Sequence, residues 1–453
     1  MTLAYDKPAL IKIVIALLIG VVIFALSRLM FNPVQSALLG IIGMMVALWT
    51  NDGLPLAVVS LLPIVLFPAC SILDTKATAA NYAHPIIYLF FGGFLLAIAV
   101  EKTGLHHWIA DRMLGIFPNT ARGIIVSLAM TSGVLSAILS NTTTTLLLIS
   151  IALFISEDPK LKMRFALAIA YGASIGGIMT PIGTPPNLIL LGIMQEKGME
   201  MIPFFQWMWM TIPLAVMMFI GMSLVLSLGV SDVKIERATL RHPLDTDQKK
   251  VLTVLGGLVA LLLVNAPIKP YWNGLGLSEP GILLAAGLLL FMPPFSLLEW
   301  MKDKEYIPFR IMFLFGAGFS IAKAFSGTGL ADAVAAHLVT LTALGPVLML
   351  LCVAALVTFM TEITSNTALI SVMLPIIYAV AEQSGIDTTL FMMVATVCAS
   401  YAFMLPIATP PNAIAMASGV VDVKVMAKYG LVFNLMGIGL IVVTALLFWQ
   451  HVL

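Results

Sequence analysis

The sequence predicts an all-α polytopic membrane protein with 11 transmembrane helices, two re-entrant helical hairpins and inverted five-span repeats with broken helices. Three observations predict this fold class. The 453 residues are 60% hydrophobic and only 10% charged, whereas soluble domains are about 25% charged. Apolar runs recur at the length of roughly 20 residues that a spanning helix needs. Short polar motifs recur at one constant offset of 225 residues.

Eleven apolar segments have the length and composition of spanning helices. The first is too long, and too closely followed by a second, for a cleavable signal peptide. The predicted spans are 11–31, 35–50, 54–72, 84–101, 162–194, 205–230, 249–266, 277–297, 307–325, 389–420 and 428–450.

Two further apolar stretches, 122–156 and 346–380, are 35 residues long and do not fit one crossing. Two full crossings would need about 40 residues and a turn. The middle of each stretch is polar, with Ser140-Asn141-Thr142 in one and Ser365-Asn366-Thr367 in the other. Non-helical backbone at membrane depth is tolerated only inside protein or beside a water-filled cavity. We therefore predict two helical hairpins that enter and leave on the same side, each with a polar tip at mid-membrane.

The distribution of basic residues predicts the orientation. With a cytoplasmic N-terminus and a C-terminus outside, 18 of the 23 Lys and Arg residues lie on the cytoplasmic side, as the positive-inside rule requires. The formal net charge is only +1. The charge balance therefore gives no reason to expect a nucleic-acid partner, and the lipid bilayer is the expected surroundings.

The 225-residue offset indicates an internal duplication. The Ser-Asn-Thr triplet recurs at this offset, and so does Thr-Pro-Pro-Asn, which begins at Thr184 and at Thr409. A constant offset over more than a hundred residues is typical of repeated structural units. Each unit holds five spans, so the two copies enter the membrane in opposite directions. Inverted repeats with interrupted helices place the binding site at mid-membrane, where the copies meet.

Each copy supplies two helix breaks, and each break exposes the ends of half-helices. A threonine followed by proline is typical of an N-cap and a first helical residue, so half-helices should begin near Pro185 and Pro410. The helices that leave the hairpin tips should begin near Thr143 and Ala368. Four helix N-termini would then converge, and their free N–H groups and dipoles favour an anion without a buried Arg or Lys.

The same breaks free carbonyl oxygens, which together with hydroxyl and amide oxygens suit a small, hard cation. Ser136 and Thr361 each precede a triplet by one helical turn and lie on the same face. The paired pattern suggests two related cation sites. The first would use Ser136, Ser140, Asn141 and the carbonyl of Gly183, and the second Thr361, Thr364, Asn366 and the carbonyl of Ala408.

An intramembrane enzyme is not expected, because the chain has no Gly-x-Ser-x-Gly motif, no paired intramembrane aspartates and no histidine-rich cluster. Glu362 is the one carboxylate within a hairpin, and its counterpart in the first copy is Ala137. An intramembrane acid is a functional candidate. Proton coupling and a structural role near the tip both remain open for Glu362.

The doubled Ser-Asn-Thr and Thr-Pro-Pro-Asn motifs resemble those of the divalent anion/sodium symporter (DASS) family, in particular its bacterial INDY-type sodium-dependent dicarboxylate transporters. The resemblance covers essentially the whole chain. It implies a homodimer in which a transport part moves as an elevator against a scaffold. Matching the motifs assigns 1–118 to the first part of the scaffold. It assigns 231–345 to a linker followed by the second part of the scaffold. The transport part is 119–230 and 346–453.

The resemblance also implies sodium-coupled uptake of succinate, malate or fumarate across the bacterial inner (plasma) membrane, with at least two sodium sites. The substrate carboxylates would meet the two triplets, Ser140, Asn141, Thr142 and Ser365, Asn366, Thr367, with Thr184, Thr409 and Pro410 nearby. Proton-coupled transport or exchange of di- or tricarboxylates such as citrate is the alternative. A channel is less consistent with an inverted repeat.

Overall fold

The computed structural model describes residues 7–51, 53–230, 234–235, 243–266, 272–338 and 345–453. Within these ranges every regular element is helical, apart from one isolated β-bridge between Thr120 and Lys234. Seven helical segments in the described part of the chain are long and apolar enough to cross a membrane. The prediction of an all-α polytopic membrane protein is confirmed.

The helices follow the duplicated pattern of the sequence. The N-terminal half contains α1 (Lys7–Ser27), α2 (Pro33–Asn51), α3 (Leu56–Ala69), α4 (Thr75–Ala80), α5 (Pro85–Lys102), α6 (Leu105–Leu114), α7 (Ala121–Ser136), α8 (Asn141–Ile155), α9 (Pro159–Gly177), α10 (Pro185–Glu196) and α11 (Phe204–Ser227). The C-terminal half contains α12 (Thr246–Asn265), α13 (Glu279–Leu289), α14 (Trp300–Asp303), α15 (Phe309–Gly327), α16 (Leu330–Leu338), α17 (Pro346–Thr361), α18 (Asn366–Gln383), α19 (Thr388–Ser400), α20 (Pro410–Ala417) and α21 (Val423–Leu447).

All eleven predicted spans contain helix, but two predicted spans were too long. The segment 54–72 forms only the 14 residues of α3. The segment 277–297 forms only the 11 residues of α13, which ends at Leu289. A helix of this length rises about 16 Å, about half of the hydrocarbon core. Pro293 and Pro294 lie in the remainder of the segment, where two successive prolines would each remove a helical hydrogen bond and so disfavour further helix. The predicted linker that follows 230 lies mostly outside the described residues.

Both predicted hairpins and both broken helices are present. The helix α7 turns into α8, and α17 turns into α18, across four-residue tips. The breaks separate α9 from α10 and α19 from α20. The half-helices begin at Pro185 and Pro410, as expected. The helices that leave the tips begin two residues earlier than predicted. For α8 the reason is that Ser140, and not a later residue, is the N-cap and accepts a hydrogen bond from the N–H of Thr143 at 3.1 Å.

The hairpin and the broken helix of one copy pack against those of the other. The helix α8 of the first hairpin contacts α20 of the second copy, while α18 of the second hairpin contacts α10 of the first. Small residues allow the closest packing, since a Cβ on Gly172 would lie 2.6 Å from the carbonyl oxygen of Ala129 on α7. These crossed contacts pack each hairpin against the second half of the broken helix of the other copy.

Candidate functional site

The same kind of side-chain contact, from a hydroxyl to an asparagine, occurs within each hairpin tip. Ser136 donates a hydrogen bond from its hydroxyl to Oδ1 of Asn141 at 2.5 Å. Thr361 makes the equivalent bond to Oδ1 of Asn366 at 2.7 Å. In both copies the hydroxyl lies at the end of the first hairpin helix and the amide begins the second. In each tip, two of the residues predicted to bind a cation, a hydroxyl residue and the triplet asparagine, are therefore in contact.

The first tip also contacts the first helix break. A Cβ on Gly177 would lie 3.1 Å from Oδ1 of Asn141 and 3.4 Å from the carbonyl oxygen of Gly183. Thr180, within the break, donates its hydroxyl hydrogen to the carbonyl of Ala137 at the tip at 2.5 Å. The tip and the unwound segment thus form one continuous polar cluster. A Cβ at position 177 would require the Asn141 side chain to shift by a few tenths of an ångström.

The asparagine of each Thr-Pro-Pro-Asn motif holds its helix break together. Both side chains are fully buried, and each amide group donates two hydrogen bonds to carbonyls on the far side of the break. The acceptors are Gly177 (3.3 Å) and Thr180 (2.9 Å) for Asn187, and Ala402 (3.0 Å) and Leu405 (3.0 Å) for Asn412. The two acceptor pairs are related by the same offset of 225 residues. Each asparagine also keeps a buried Oδ1 with no hydrogen-bond partner among the described groups.

Glu362 binds the second helix break directly. Its Oε1 accepts hydrogen bonds from the N–H groups of Phe403 at 2.8 Å and Met404 at 2.9 Å, and its Oε2 accepts one from Leu405 at 2.9 Å. The side-chain amide of Asn434 on α21 donates a fourth, at 2.7 Å. Because Glu362 is only 3% exposed, this carboxylate is buried with four donors around it.

The predicted substrate-binding residues differ in accessibility. Ser140 is exposed, and Asn141, Thr142, Ser365 and Asn366 are half-buried, whereas Thr367 is buried. At the breaks, Pro410 is exposed, while Thr184 and Thr409 are buried at the N-cap positions of α10 and α20. A cavity of about 30 Å³ lies between α5 and the first tip and break, and its lining includes Phe94, Ser140 and Gly183. This volume is sufficient to hold a water molecule.

The predicted ligands of the first cation site lie close together, whereas those of the second are brought together only in part. In the first set, Ser136 contacts Asn141, Asn141 and Gly183 both lie against Gly177, and Ser140 and Gly183 line one cavity. In the second set, Thr361 contacts Asn366, but Thr364 turns its hydroxyl to the carbonyl of Met360 on its own hairpin at 2.8 Å. Ala408 lies in the second break, where its N–H donates to Leu405 at 3.2 Å.

Sequence reasoning did not find the residues that stabilise the breaks. The roles of Asn187 and Asn412 were visible only as the last letter of a repeated motif. Their burial and their spacing of 225 residues were the available signals. The partnership of Glu362 with Asn434 had no signal, because the two residues are 72 positions apart and the counterpart of Glu362 is Ala137.

The comparison with protein families identifies the chain. The model of a family described as citrate transporter matches residues 44–396, which include both triplets and the first Thr-Pro-Pro-Asn motif. The chain belongs to the citrate transporter family. This family consists of membrane transporters, so the chain is a multi-pass transporter and not an enzyme.

Curated relatives agree with this family assignment. The chain is 30% identical to the sodium-dependent dicarboxylate transporter SdcS of Staphylococcus saprophyticus, covering 94% of this chain and 90% of that protein. It is 31% identical to SdcS of Staphylococcus aureus strain USA300, covering 95% and 90%. The resemblance to sodium-dependent dicarboxylate transporters predicted from the motifs is confirmed.

Two solved structures share the fold of this citrate transporter family member. One is the YdaH transporter of Alcanivorax borkumensis, with a TM-score of 0.63, 15% identity, and coverage of 98% of this chain and 99% of that chain. The other is MtrF of Neisseria gonorrhoeae, with a TM-score of 0.59, 14% identity, and coverage of 82% and 83%.

Proposed function

We propose that the protein takes up C4-dicarboxylates, such as succinate, malate and fumarate, together with sodium ions across the bacterial inner membrane. The observation that carries the proposal is the pair of hydroxyl–amide contacts at the tips, Ser136–Asn141 and Thr361–Asn366. Each contact places two oxygen atoms side by side within a tip that faces an unwound segment. The name of the relative SdcS, a sodium-dependent dicarboxylate transporter, supports a dicarboxylate substrate and sodium coupling.

The oxygen atoms at the tips fit sodium as a transported substrate. Hard cations bind hydroxyl, amide and backbone carbonyl oxygens, and the proposed sites contain all three. The hydroxyl of Ser136 donates its hydrogen to Oδ1 of Asn141. With a cation bound, the hydroxyl hydrogen would turn away, so that both oxygens could offer lone pairs. The buried Oδ1 atoms of Asn187 and Asn412, which have no partner among the described groups, add unused acceptor capacity near each break.

The dicarboxylate would bind where the four half-helices begin. Exposed or half-buried Ser140, Asn141, Ser365 and Asn366 offer side-chain donors to carboxylates, and the N-termini of α8, α10, α18 and α20 favour negative charge. Thr142 and Thr367 complete the triplets, and Thr184, Thr409 and Pro410 begin the half-helices of the breaks. A dianion at low dielectric is costly without nearby cations. Sodium binding should therefore precede substrate binding.

The transport part, 119–230 and 346–453, would move as one body against the scaffold, 1–118 and 231–345. The crossed packing of α8 with α20 and of α18 with α10 supports this division, because it ties the two hairpins to the two broken helices. We propose a homodimer joined through the scaffold, with the N-terminus in the cytoplasm and the C-terminus outside.

Uptake of labelled succinate into proteoliposomes tests the proposal. An inward sodium gradient should raise the initial rate at least tenfold above that in potassium, since sodium neutralises the dianion in the site. A proton gradient imposed in potassium is the matched control. Equal rates in sodium and potassium would overturn sodium coupling, and a rate that follows only the proton gradient would favour the proton-coupled alternative.

Citrate is the second candidate substrate, because the family model that matches the chain is described as citrate transporter. A tricarboxylate needs the same oxygen donors plus room for a third carboxylate. Competition separates the two candidates in one assay. If unlabelled succinate inhibits labelled succinate uptake at lower concentrations than citrate does at the same pH, the dicarboxylate assignment holds, and the reverse order would replace it.

A further inference from the structure

The two short helices α6 and α16 each follow a sharp junction at the end of a scaffold helix. Thr103 ends α5 and Thr328 ends α15, and each is followed by a glycine in the left-handed region, Gly104 with φ of 67° and Gly329 with φ of 66°. A left-handed glycine after the last helical residue is a common way to end a helix. The chain thus changes direction at equivalent points in the two copies.

At each junction the threonine hydroxyl donates a hydrogen bond to a carbonyl of its own helix, and the threonine carbonyl remains available as an acceptor. The hydroxyl of Thr103 donates to the carbonyl of Ala99 at 2.8 Å, and that of Thr328 donates to Ala324 at 2.7 Å. The carbonyl oxygens of the last helical residues have no partner within a helix. The carbonyl of each threonine therefore needs a donor from elsewhere.

The donor in both copies is a glutamine from the first helix of the repeat unit. Gln248 of α12 donates from Nε2 to the carbonyl of Thr103 at 3.2 Å. Gln35 of α2 donates from Nε2 to the carbonyl of Thr328 at 3.0 Å. The two bonds join residues 145 and 293 positions apart in the chain. Each connects the N-terminus of one scaffold helix to the junction at the end of another.

Each glutamine is itself held in place by a capping box. Gln248 accepts from the N–H of Asp245 at 3.2 Å and donates its own N–H to that side chain at 2.7 Å. Gln35 accepts from the N–H of Asn32 at 3.3 Å and donates its N–H to that side chain at 2.9 Å. With Oε1 used in the cap, Nε2 is directed at the threonine carbonyl. The same three-part arrangement occurs twice, with sequences Asn-x-x-Gln and Asp-x-x-Gln.

We propose that Gln35 and Gln248 are positioning residues that fix the two junctions about which α16 and α6 turn when the transport part moves. The inference rests on the proposed transport function. α6 packs against α7 of the first hairpin, and α16 packs against α18 of the second. A junction held by a side chain from the scaffold keeps its place while the short helix beyond it follows the hairpin.

The substitutions Gln35→Glu and Gln248→Glu test the proposal. Glutamate keeps the acceptor that the capping box needs, but removes the donor to the threonine carbonyl. One lost hydrogen bond corresponds to about a fivefold change in an equilibrium. In each variant, the amide hydrogens of the first turn after the glycine, such as those of His107 and Ala333, should exchange about fivefold faster. The maximal rate of succinate uptake should fall about fivefold, with the Kd for succinate unchanged.

Two controls separate the junction from other effects. Asp245→Ala removes the acceptor of the cap and leaves the amide donor of Gln248 in place, so it should not change exchange at the junction. Gln206→Glu removes a comparable long-range bond, from Nε2 to the carbonyl of Val452 at 3.0 Å, away from both junctions. If Asp245→Ala reproduces the effect of Gln248→Glu, the glutamine acts only as a cap and the proposal is wrong.

The two readouts distinguish the inference from the function on which it rests. Amide exchange needs no substrate, so unchanged exchange in both glutamate variants would overturn the junction role whatever the protein transports. A wild-type protein that does not take up succinate would overturn the proposed function alone. A change in Kd that matches the change in rate would show that the glutamines act through the binding site, contrary to the proposal.

Discussion

Single side chains, and not regular structure, hold the unwound segments of this protein inside the membrane. Glu362 shows this at the residue scale, because its carboxylate accepts three backbone N–H groups of the second break and the amide of Asn434. Hydrogen bonds to a charged group contribute about 1.5–3 kcal/mol each. The contacts support the structural alternative that the sequence left open for Glu362, as an anchor between tip and break.

The anchor role predicts the effect of Glu362→Gln. The new amide would point its N–H groups at N–H groups of the break. The rate of hydrogen exchange at the amides of Phe403, Met404 and Leu405 should therefore rise at least tenfold. This rate change corresponds to a fall of about 1.4 kcal/mol or more in the free energy of local opening. Sodium affinity should fall, while the pH dependence of uptake should stay as in wild type. Hydrogen exchange and uptake at several pH values measure these effects.

The matched control is Glu382→Gln, because Glu382 is an exposed acid that accepts a hydrogen bond from the hydroxyl of Tyr378 at 3.0 Å near the end of α18. It should leave exchange in the break unchanged. Loss of pH dependence in Glu362→Gln without a change in exchange would instead support proton coupling.

At the element scale, the hairpins and breaks could be predicted because their causes are local. A 35-residue apolar stretch with a polar centre is too short to cross twice, and Thr-Pro-Pro starts a half-helix in both copies. The length of α13 could not be predicted from hydrophobicity alone, because Pro293-Pro294 ends the helix within an apolar run.

The contacts across a break were beyond prediction for a different reason. The first copy joins its tip to its break through the hydroxyl of Thr180 and the carbonyl of Ala137. The second joins the equivalent positions through the N–H of Leu405 and the carboxylate of Glu362. Duplication preserved the contact between two places in the fold but changed the chemistry that makes it, so the offset could not reveal the partners.

The equivalence of the two tips predicts matched defects. Asn141→Ala and Asn366→Ala each remove the amide oxygen that faces the hydroxyl of Ser136 or Thr361. Each variant should weaken sodium binding about tenfold or more, the usual cost of losing a ligand or its close partner. Substrate binding at low sodium should weaken with it, which sodium titrations of succinate binding would measure.

Ser150→Ala is the control for the first tip, because Ser150 lies on α8 outside the site and donates only to carbonyls of its own helix. It should bind sodium as wild type does. If succinate binding at low sodium survives in both asparagine variants, the two tips do not form a site that sodium and substrate share.

At the scale of the whole molecule, the two copies meet the scaffold differently. On α5, Gly93 faces Ile182 at the first break, since a Cβ on Gly93 would lie 3.5 Å from that side chain. On α15, the equivalent Gly318 faces Ser371, more than one helical turn beyond the second tip, with a Cβ 2.6 Å from its hydroxyl. The two copies therefore contact α5 and α15 at positions that are not equivalent. In the proposed elevator mechanism, a displacement of this kind and its reverse would alternate access.

One contact between the two parts should break in the opposite state. Lys197, after α10, donates from Nζ to the hydroxyl of Ser326 on α15 at 2.6 Å, and we propose that both lie at the outer surface. In a background with Cys70, Cys352 and Cys398 replaced by serine, Lys197→Cys and Ser326→Cys joined by a short bismaleimide should reduce succinate uptake at least tenfold. The linker should hold the proposed transport part in one position, while succinate binding should persist.

The control pair, Gln206→Cys with Val452→Cys, joins two positions within the proposed transport part and should leave uptake unchanged. Full uptake by the first cross-linked pair would mean that the two parts do not slide past each other at this contact.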